Sequence, residues 1–436
     1  MDANLITMSF VVFGVLFLVL GSGIWIGFSL FIVGFVGMEV FAILPPGPNM
    51  ASSIWGSVNK WELVALPLFI FMGEILFRSG ISEKLFKALV PWLNRFPSGL
   101  LLINIVACTL FAAVSGSSAA TTATVGRITL SEFKKLGYNK KLSLGSLAGA
   151  GTLGFLIPPS LIMIIYAILA EVSIGKMFIA GVLPGILLAG IYMLYLVGRG
   201  IADPNIAPHG DEDYSWLDRF KAIKDVFPVF VLIIAVLGSI YAGVATVTEA
   251  AALGVLASAL FALYNKRLSR SILMECLLAA VKTTSMIIFI VIGAGFLSRA
   301  MGILGIPREI TRVIGGLGLS PYVLVIMLAL VYIILGCILD GFSIVVMTLP
   351  IALPLITLAG FDAIWFGIFL ILMVELSQIT PPVGFNLFVI QGLTDDSIGD
   401  IAKAAFPFFM LMLLATAIIT AFPAIATFLP SLMLGE

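Results

Sequence analysis

Charge is what this chain has least of. Lys, Arg, Asp and Glu make up 11% of its 436 residues, and 23 basic residues are balanced by 23 acidic ones. A chain of zero net charge offers no basic footprint for nucleic acid, so no nucleic-acid partner is expected. Histidine is nearly absent. His209 stands alone in a polar loop, which excludes a His-based metal site. The three cysteines, Cys108, Cys276 and Cys337, each lie in an apolar run, where they read as neither a disulfide framework nor a metal cluster. The N-terminus carries Asp2, no basic stretch, and no small-residue cleavage site before Ile24. Residues 5–20 are therefore expected to be a retained membrane segment, not a cleaved signal peptide.

Apolar residues fill the space that charge leaves. They make up 61% of the chain, and the mean hydropathy is +1.20. No soluble core of this length needs that much, so the composition predicts an all-α polytopic membrane protein in a lipid bilayer.

Residues 5–20 and 24–44 read as two helices parted by a tight Gly21-Ser22-Gly23 turn. Pro45, Pro46 and Pro48 end the second. Residues 49–60 read as a polar connector with Trp55 and Trp61 at interfacial positions, and 61–77 as a span kinked at Pro67. Residues 81–95 mix Lys84, Lys87 and Arg95 with Leu85, Phe86, Leu89 and Trp92. That amphipathic pattern lies along a membrane surface.

A small, hydroxyl-rich, uncharged stretch follows, Val114-Ser115-Gly116-Ser117-Ser118-Ala119-Ala120-Thr121-Thr122-Ala123-Thr124. Gly and Ser weaken a helix interior, and a break in lipid is tolerated only against protein or a water-filled cavity. The flanking arms, 99–114 and 118–130, fall short of the ~20 residues that span a bilayer. The next loop sets Arg127, Lys134, Lys135, Lys140 and Lys141 against Glu132, which makes it cytoplasmic by the positive-inside rule. Arg95 marks the start of the first arm as basic too. Both ends then lie on one side, as a re-entrant hairpin requires. A small-residue packing face is the alternative reading. Ile157-Pro158-Pro159-Ser160 interrupts a second helix between 142–156 and 161–170, and 177–197 returns to the cytoplasm.

The second half repeats these marks in order. Val114–Ser118 lines up with Leu339-Asp340-Gly341-Phe342-Ser343, Leu136-Gly137-Tyr138 with Ala359-Gly360-Phe361, and Ile157-Pro158-Pro159 with Thr380-Pro381-Pro382. Ser173-Ile174-Gly175 matches Ser397-Ile398-Gly399, and Pro184 matches Pro407. The loop charge does not repeat: residues 358–363 hold no Lys or Arg and carry Asp362. The repeats are thus expected to face opposite sides of the membrane, with two re-entrant hairpins and two unwound helices, the plan of secondary transporters. Arg299, Arg308 and Arg312 on the expected outer side run against this charge pattern. The expected parts are a first-repeat scaffold with arm helices (1–98), a first transport part (99–199), a polar cytoplasmic linker (200–225), a second scaffold (226–320), and a second transport part with the last helix (321–436).

At these residues the chain resembles the large membrane subunit of tripartite ATP-independent periplasmic (TRAP) transporters, the DctM-like family. The matching stretches are Phe111 to Ala120, Gly154-Phe155-Leu156-Ile157-Pro158-Pro159-Ser160, Ala180-Gly181-Val182-Leu183-Pro184-Gly185, Asp340-Gly341, and Gln378-Ile379-Thr380-Pro381-Pro382-Val383-Gly384. The resemblance implies sodium-driven import of an organic anion, a C4-dicarboxylate or a sugar acid such as sialic acid, by an elevator-type movement. It also implies a small DctQ-like membrane subunit, a periplasmic substrate-binding protein, and a place in the bacterial inner membrane.

The residues offer a mechanism. Pro158 and Pro159 deprive the Gly154 and Phe155 carbonyls of their helical partners, and unwinding exposes Ile157. With the Ser115 hydroxyl these give hard, uncharged oxygens for a weakly held Na+, so one site is expected at Ser115, Gly154, Ile157 and Pro159. The repeat predicts a second Na+ site at Asp340, Gly341, Ser377, Thr380 and Pro382. New half-helices start at the tips and breaks, and their N-termini favour anions. Gly116, Ser117, Ser118, Thr121, Ser160 and Asn386 are the expected substrate contacts. Asp340 and Glu375 are intramembrane carboxylates, functional by default, and either could titrate with protons instead. Glu39, Glu74 and Glu249 are expected at helix ends or subunit interfaces. Three other readings compete: a stand-alone Na+- or H+-coupled dicarboxylate symporter of related inverted-repeat fold, an anion channel, and an intramembrane enzyme. The last lacks any nucleophile–base pair in the polar segments, so no enzyme activity is expected.

Overall fold

The computed structural model describes residues 3–206 and 214–433; His209 lies outside them. Twenty-one α-helices and two short 3-10 turns make up the described chain, and no strand occurs among the described residues. Among the described residues, five helices are long and apolar enough to cross a bilayer, or up to eight if each bent pair counts as one span. The chain is therefore a multi-pass membrane protein.

The first helices are α1 (Ala3–Gly21), α2 (Ile26–Phe41) and α3 (Pro46–Val58). The stretch expected as a polar connector is helical because Pro46 sits at its first position, where a missing N–H costs nothing and the fixed φ suits a helix. Next come α4 (Ala65–Arg78) and α5 (Ile81–Leu93), bent by 71° from one another. That bend turns α5 aside from the span, as its amphipathic pattern demands. The helices α6 (Leu101–Ser115) and α7 (Ser118–Leu136) meet at Gly116 and Ser117. Lys134 and Lys135 lie in the last turn of α7, where cations favour the dipole, so the helix runs past the end expected at residue 130. An interrupted helix follows as α8 (Lys140–Gly151), α9 (Leu153–Leu156) and α10 (Leu161–Ala170), and α11 (Ile174–Ala202) is a long span.

After the connector, α12 (Trp216–Tyr241) begins inside the stretch expected as linker. Ser215 and Asp218 start it with a capping box. Then come α13 (Val247–Tyr264), α14 (Arg270–Ile303), α15 (Ile306–Gly316), α16 (Pro321–Gly336) and α17 (Gly341–Leu358). The second interrupted helix is α18 (Ala363–Gln378) with α19 (Phe385–Gln391), and the chain closes with α20 (Ile398–Ala421) and α21 (Ala424–Ser431). Every residue of α18 from Trp365 to Gln378 is buried, as is every residue of α10 from Leu161 to Ile168. α10 is apolar all round, and α18 is apolar as far as Val374; such helices belong at a core.

The two interrupted helices run antiparallel. At one end the Lys140 ammonium, at the start of α8, meets Asp396 just beyond α19 at 2.5 Å. At the other end the Tyr166 hydroxyl on α10 donates to the Ala363 carbonyl, which opens α18, at 2.5 Å.

Candidate ion and substrate site

The first tip forms because Gly116 takes a left-handed conformation, φ +60°, and ends α6. Ser117 then caps α7, its hydroxyl accepting from the Ala120 N–H at 3.4 Å. No side chain fits at Gly116, where a Cβ would lie 2.7 Å from the Pro159 carbonyl oxygen. The Leu161 N–H donates to the Gly116 carbonyl at 3.3 Å. Gly154 meets the same tip from the other direction, and a Cβ there would lie 2.5 Å from the Ser118 Cα and N. Tip and break thus touch backbone to backbone. The structure sets Gly116 against Pro159 and Gly154 against Ser117 and Ser118, and Ser115 is the last residue of α6 beside them. Ile157, at the end of α9, adopts an extended backbone.

Glu375 completes this junction from the other half of the chain. It is fully buried on α18. Its carboxylate accepts from the Ser118 hydroxyl at 2.6 and 2.8 Å to its two oxygens, and from the Phe155 N–H at 2.6 Å. Sequence reasoning singled out Glu375 as an intramembrane carboxylate but gave it no partner. Ser118, expected to face substrate, instead donates to it.

The other expected substrate contacts divide. Thr121 shares a hydrogen bond with Ser115, Oγ1 to Oγ 2.9 Å, so the Ser115 hydroxyl is engaged within the tip. Ser160 caps α10, accepting from the Met163 N–H at 3.5 Å. Asn386 is fully buried, and neither its Nδ2 nor its Oδ1 has a partner among the described residues. Its Nδ2 faces the Gly151 backbone, 3.4 Å from where a Cβ would stand, next to Thr122.

The second set of residues is looser. Asp340 caps α17, accepting from the Phe342 and Ser343 N–H groups at 3.0 and 3.4 Å and from the Ser343 hydroxyl. Its charge already occupies the positive end of α17. Gly341 rests on α18, where a Cβ would lie 2.5 Å from Val374 and 3.5 Å from the Gln378 amide nitrogen. Ser377 abuts Gly336 at the end of α16. The Ser377 carbonyl, freed by Pro381, accepts the Thr380 N–H at 3.3 Å, and the Thr380 hydroxyl donates to the Leu376 carbonyl at 2.6 Å. Pro381 and Pro382 are exposed, whereas Pro158 and Pro159 are buried. The Phe155 and Phe342 rings meet edge to face at 5.7 Å, joining the first break to the second tip. Of the remaining acids, Glu249 forms a capping box with Thr246 at the start of α13, and Glu74 pairs with Arg78 at 3.2 Å.

No cluster of three or more His, Cys, Asp or Glu residues able to hold a metal occurs among the described residues. Beside the Glu375 carboxylate, which Ser118 and Phe155 engage, the junction offers neutral oxygens: the Ser115 hydroxyl and the carbonyls whose helical partners would be Pro158 and Pro159. That donor set suits a weakly bound monovalent cation better than a divalent one.

Comparison with known proteins places these features. The chain is similar to the C4-dicarboxylate TRAP transporter large permease protein DctM of Pseudomonas aeruginosa, 36% identical over 88% of this chain and 89% of that protein. It is 27% identical to the sialic acid TRAP transporter large permease protein SiaM of Vibrio cholerae, over 95% and 96% of the two chains. Its fold is similar to the crystal structure of the Alcanivorax borkumensis YdaH transporter, with a TM-score of 0.59 over 89% of each chain at 14% identity. These matches do not favour the stand-alone symporter, and the family is one of transporter permeases, not enzymes. The family model described as "Tripartite ATP-independent periplasmic transporter, DctM component" matches residues 13–425, and the chain belongs to that family.

Proposed function

We propose that this chain is the permease subunit of a sodium-coupled importer of an organic anion, handed over by a periplasmic substrate-binding protein, in the bacterial inner membrane beside a small membrane subunit. The observation that carries the reading is the buried junction of Gly116, Gly154 and Pro159. Backbone oxygens there lack helical N–H partners because two consecutive residues are proline. Na+ would be held by the Ser115 hydroxyl and the Gly154, Ile157 and Pro159 carbonyls. A second, weaker ion would lie at Asp340, Gly341, Ser377, Thr380 and Pro382. At the first site all the ligands are neutral, which lets the ion leave again.

The anion's contacts follow from what is unspent. Asn386 keeps a free donor and a free acceptor, and a buried amide without partners is costly unless a ligand completes it. With Gly116, and with Ser117 and Thr121 giving up their local hydrogen bonds to Ala120 and Ser115, it forms the substrate side, while Ser118 and Ser160 hold the fold. The α7 N-terminus adds partial positive charge. Glu375 fixes the junction, and a bound carboxylate must stand clear of it. The antiparallel interrupted helices support an inverted repeat in which residues 99–199 and 321–436 move as one block against a scaffold of 1–98 and 226–320, with 200–225 as the connection. The substrate class follows the relatives, a C4-dicarboxylate or a sugar acid such as sialic acid.

Reconstitution with the small subunit and cognate binding protein, and a panel of such acids, tests this. Uptake that requires an inward sodium gradient and the binding protein is the expected result. Equal uptake without sodium, or without the binding protein, overturns it.

A further inference from the structure

A cavity of about 330 Å3 opens between α4, α5, α14 and the middle of α7, on the side of the Lys- and Arg-bearing loops. It is separate from the junction at the tip. Arg78, Glu83, Thr124, Arg127, Ile128 and Glu275 line it. Three hydrogen-bond donors converge there without a partner. Thr124 is 7% exposed, and its hydroxyl has none among the described residues. The Arg78 Nε–H is likewise buried and unpaired. Arg127 is exposed, and no ion pair or hydrogen bond engages it among the described residues.

The carboxylates in the wall are already engaged or in solvent. Glu74 and Glu275 flank Arg78 at 3.2 and 3.1 Å. Glu83 is exposed on the rim, where water screens it. One face of α7 runs from the tip to the cavity. Ser117, Thr121, Thr124 and Arg127 recur at spacings of four, three and three residues, which stacks them along a helix. From Thr121 to Arg127 is a rise of about 9 Å.

We propose that this cavity is a release subsite for an oxyanion-bearing substrate, a carboxylate leaving toward the cytoplasm, with Arg127 and the Thr124 hydroxyl as its ligands. Arg78 braces the wall and adds one donor. The inference rests on the importer reading above, but its first test does not depend on transport.

The test uses a cysteine-free background (C108A, C276A, C337A) carrying T124C, in inside-out vesicles. The probes are the anionic reagent methanethiosulfonate ethylsulfonate and its cationic trimethylammonium counterpart, each rate normalised to that of a free thiol. With Arg127 present the anionic reagent is expected to gain about threefold over the cationic one, because the Arg127 guanidinium stands one helical turn from the thiol, while the acids of the wall, Glu83 and Glu275, are exposed. R127Q should lower the ratio to one or below, since Arg78 then faces those acids alone. A ratio near one with Arg127 in place, a ratio unmoved by R127Q, or labelling only from the outer face each overturns the proposal. If T124C fails to insert, I128C reports on the same wall. R127Q alone is then compared in sodium-dependent uptake, where a roughly fivefold slower maximal rate at unchanged sodium half-saturation is expected. A collapsed labelling ratio with normal uptake removes the cavity from the path. Absent uptake in the unmodified protein overturns the importer reading and leaves the labelling result standing.

Discussion

Pro158–Pro159 and Pro381–Pro382 are the same residue pair at matching places in two halves, yet their surroundings differ. The first pair is buried, with the tip backbone against it at Gly116 and Gly154, and Glu375 reaches across from the other half to hold both. The second pair is exposed. Its neighbouring tip spends its one charge on capping α17, and the Ser377 carbonyl is re-bonded locally. Breaking a helix frees carbonyls in both places, but only enclosure turns them into a site. A buried break has only protein or a bound ion to satisfy its freed groups, whereas an exposed one is open to whatever lies outside the subunit.

The contrast can be broken most forcefully at Glu375. Replacing it with Ala leaves the Ser118 hydroxyl and the Phe155 N–H buried without an acceptor, so E375A should cost about 2–6 kcal/mol of stability, read as a fall in thermal unfolding temperature in detergent. E375Q keeps a carbonyl acceptor and should lose less; equal losses would mean that the carboxylate is not holding the junction. Next comes Gly154→Ala, whose added methyl has no room. An overpacking cost of about 1–3 kcal/mol at the junction should cut sodium-dependent uptake by tenfold or so. Normal uptake would show that the two backbones need not touch.

The prolines sharpen the comparison directly. P158A should raise the half-saturating sodium concentration about tenfold, since its restored N–H can recapture the Gly154 carbonyl, whereas P381A should change it by about threefold or less. The reverse order would make the exposed break the principal ion site. The smallest effect is expected at the second tip. D340A loses the cap of α17 and about 1 kcal/mol of stability, and D340N only a few tenths because Asn caps nearly as well. Because Asp340 also stands in the second, weaker ion site, D340N should raise the half-saturating sodium concentration by about threefold or less; a tenfold rise, about 1.4 kcal/mol, would make that site the principal one.

Much of this was legible in sequence because it is written in local chemistry. Gly116-Ser117 stops one helix and starts the next, and Pro158–Pro159 cannot be helical. The start of α3 was missed because Pro46 reads as a terminator when seen from α2 and as an initiator when seen from α3. The extent of α7 was missed because Lys134 and Lys135 look like a loop but suit the end of a helix. The partners of Glu375 could not be read at all. Ser118 lies 257 residues away and Phe155 220 residues away, and no periodicity spans such a distance. The unequal burial of the two breaks was hidden for the same reason: repeated residues specify repeated backbone, but not what the rest of the chain packs over them.

The reach of Glu375 has a mechanical consequence. The hydrogen bonds from Ser118 and Phe155 make the junction in the first half depend on a side chain of the second. Neither half can close that junction alone, so a force that parts α18 from the tip opens the break and the tip together.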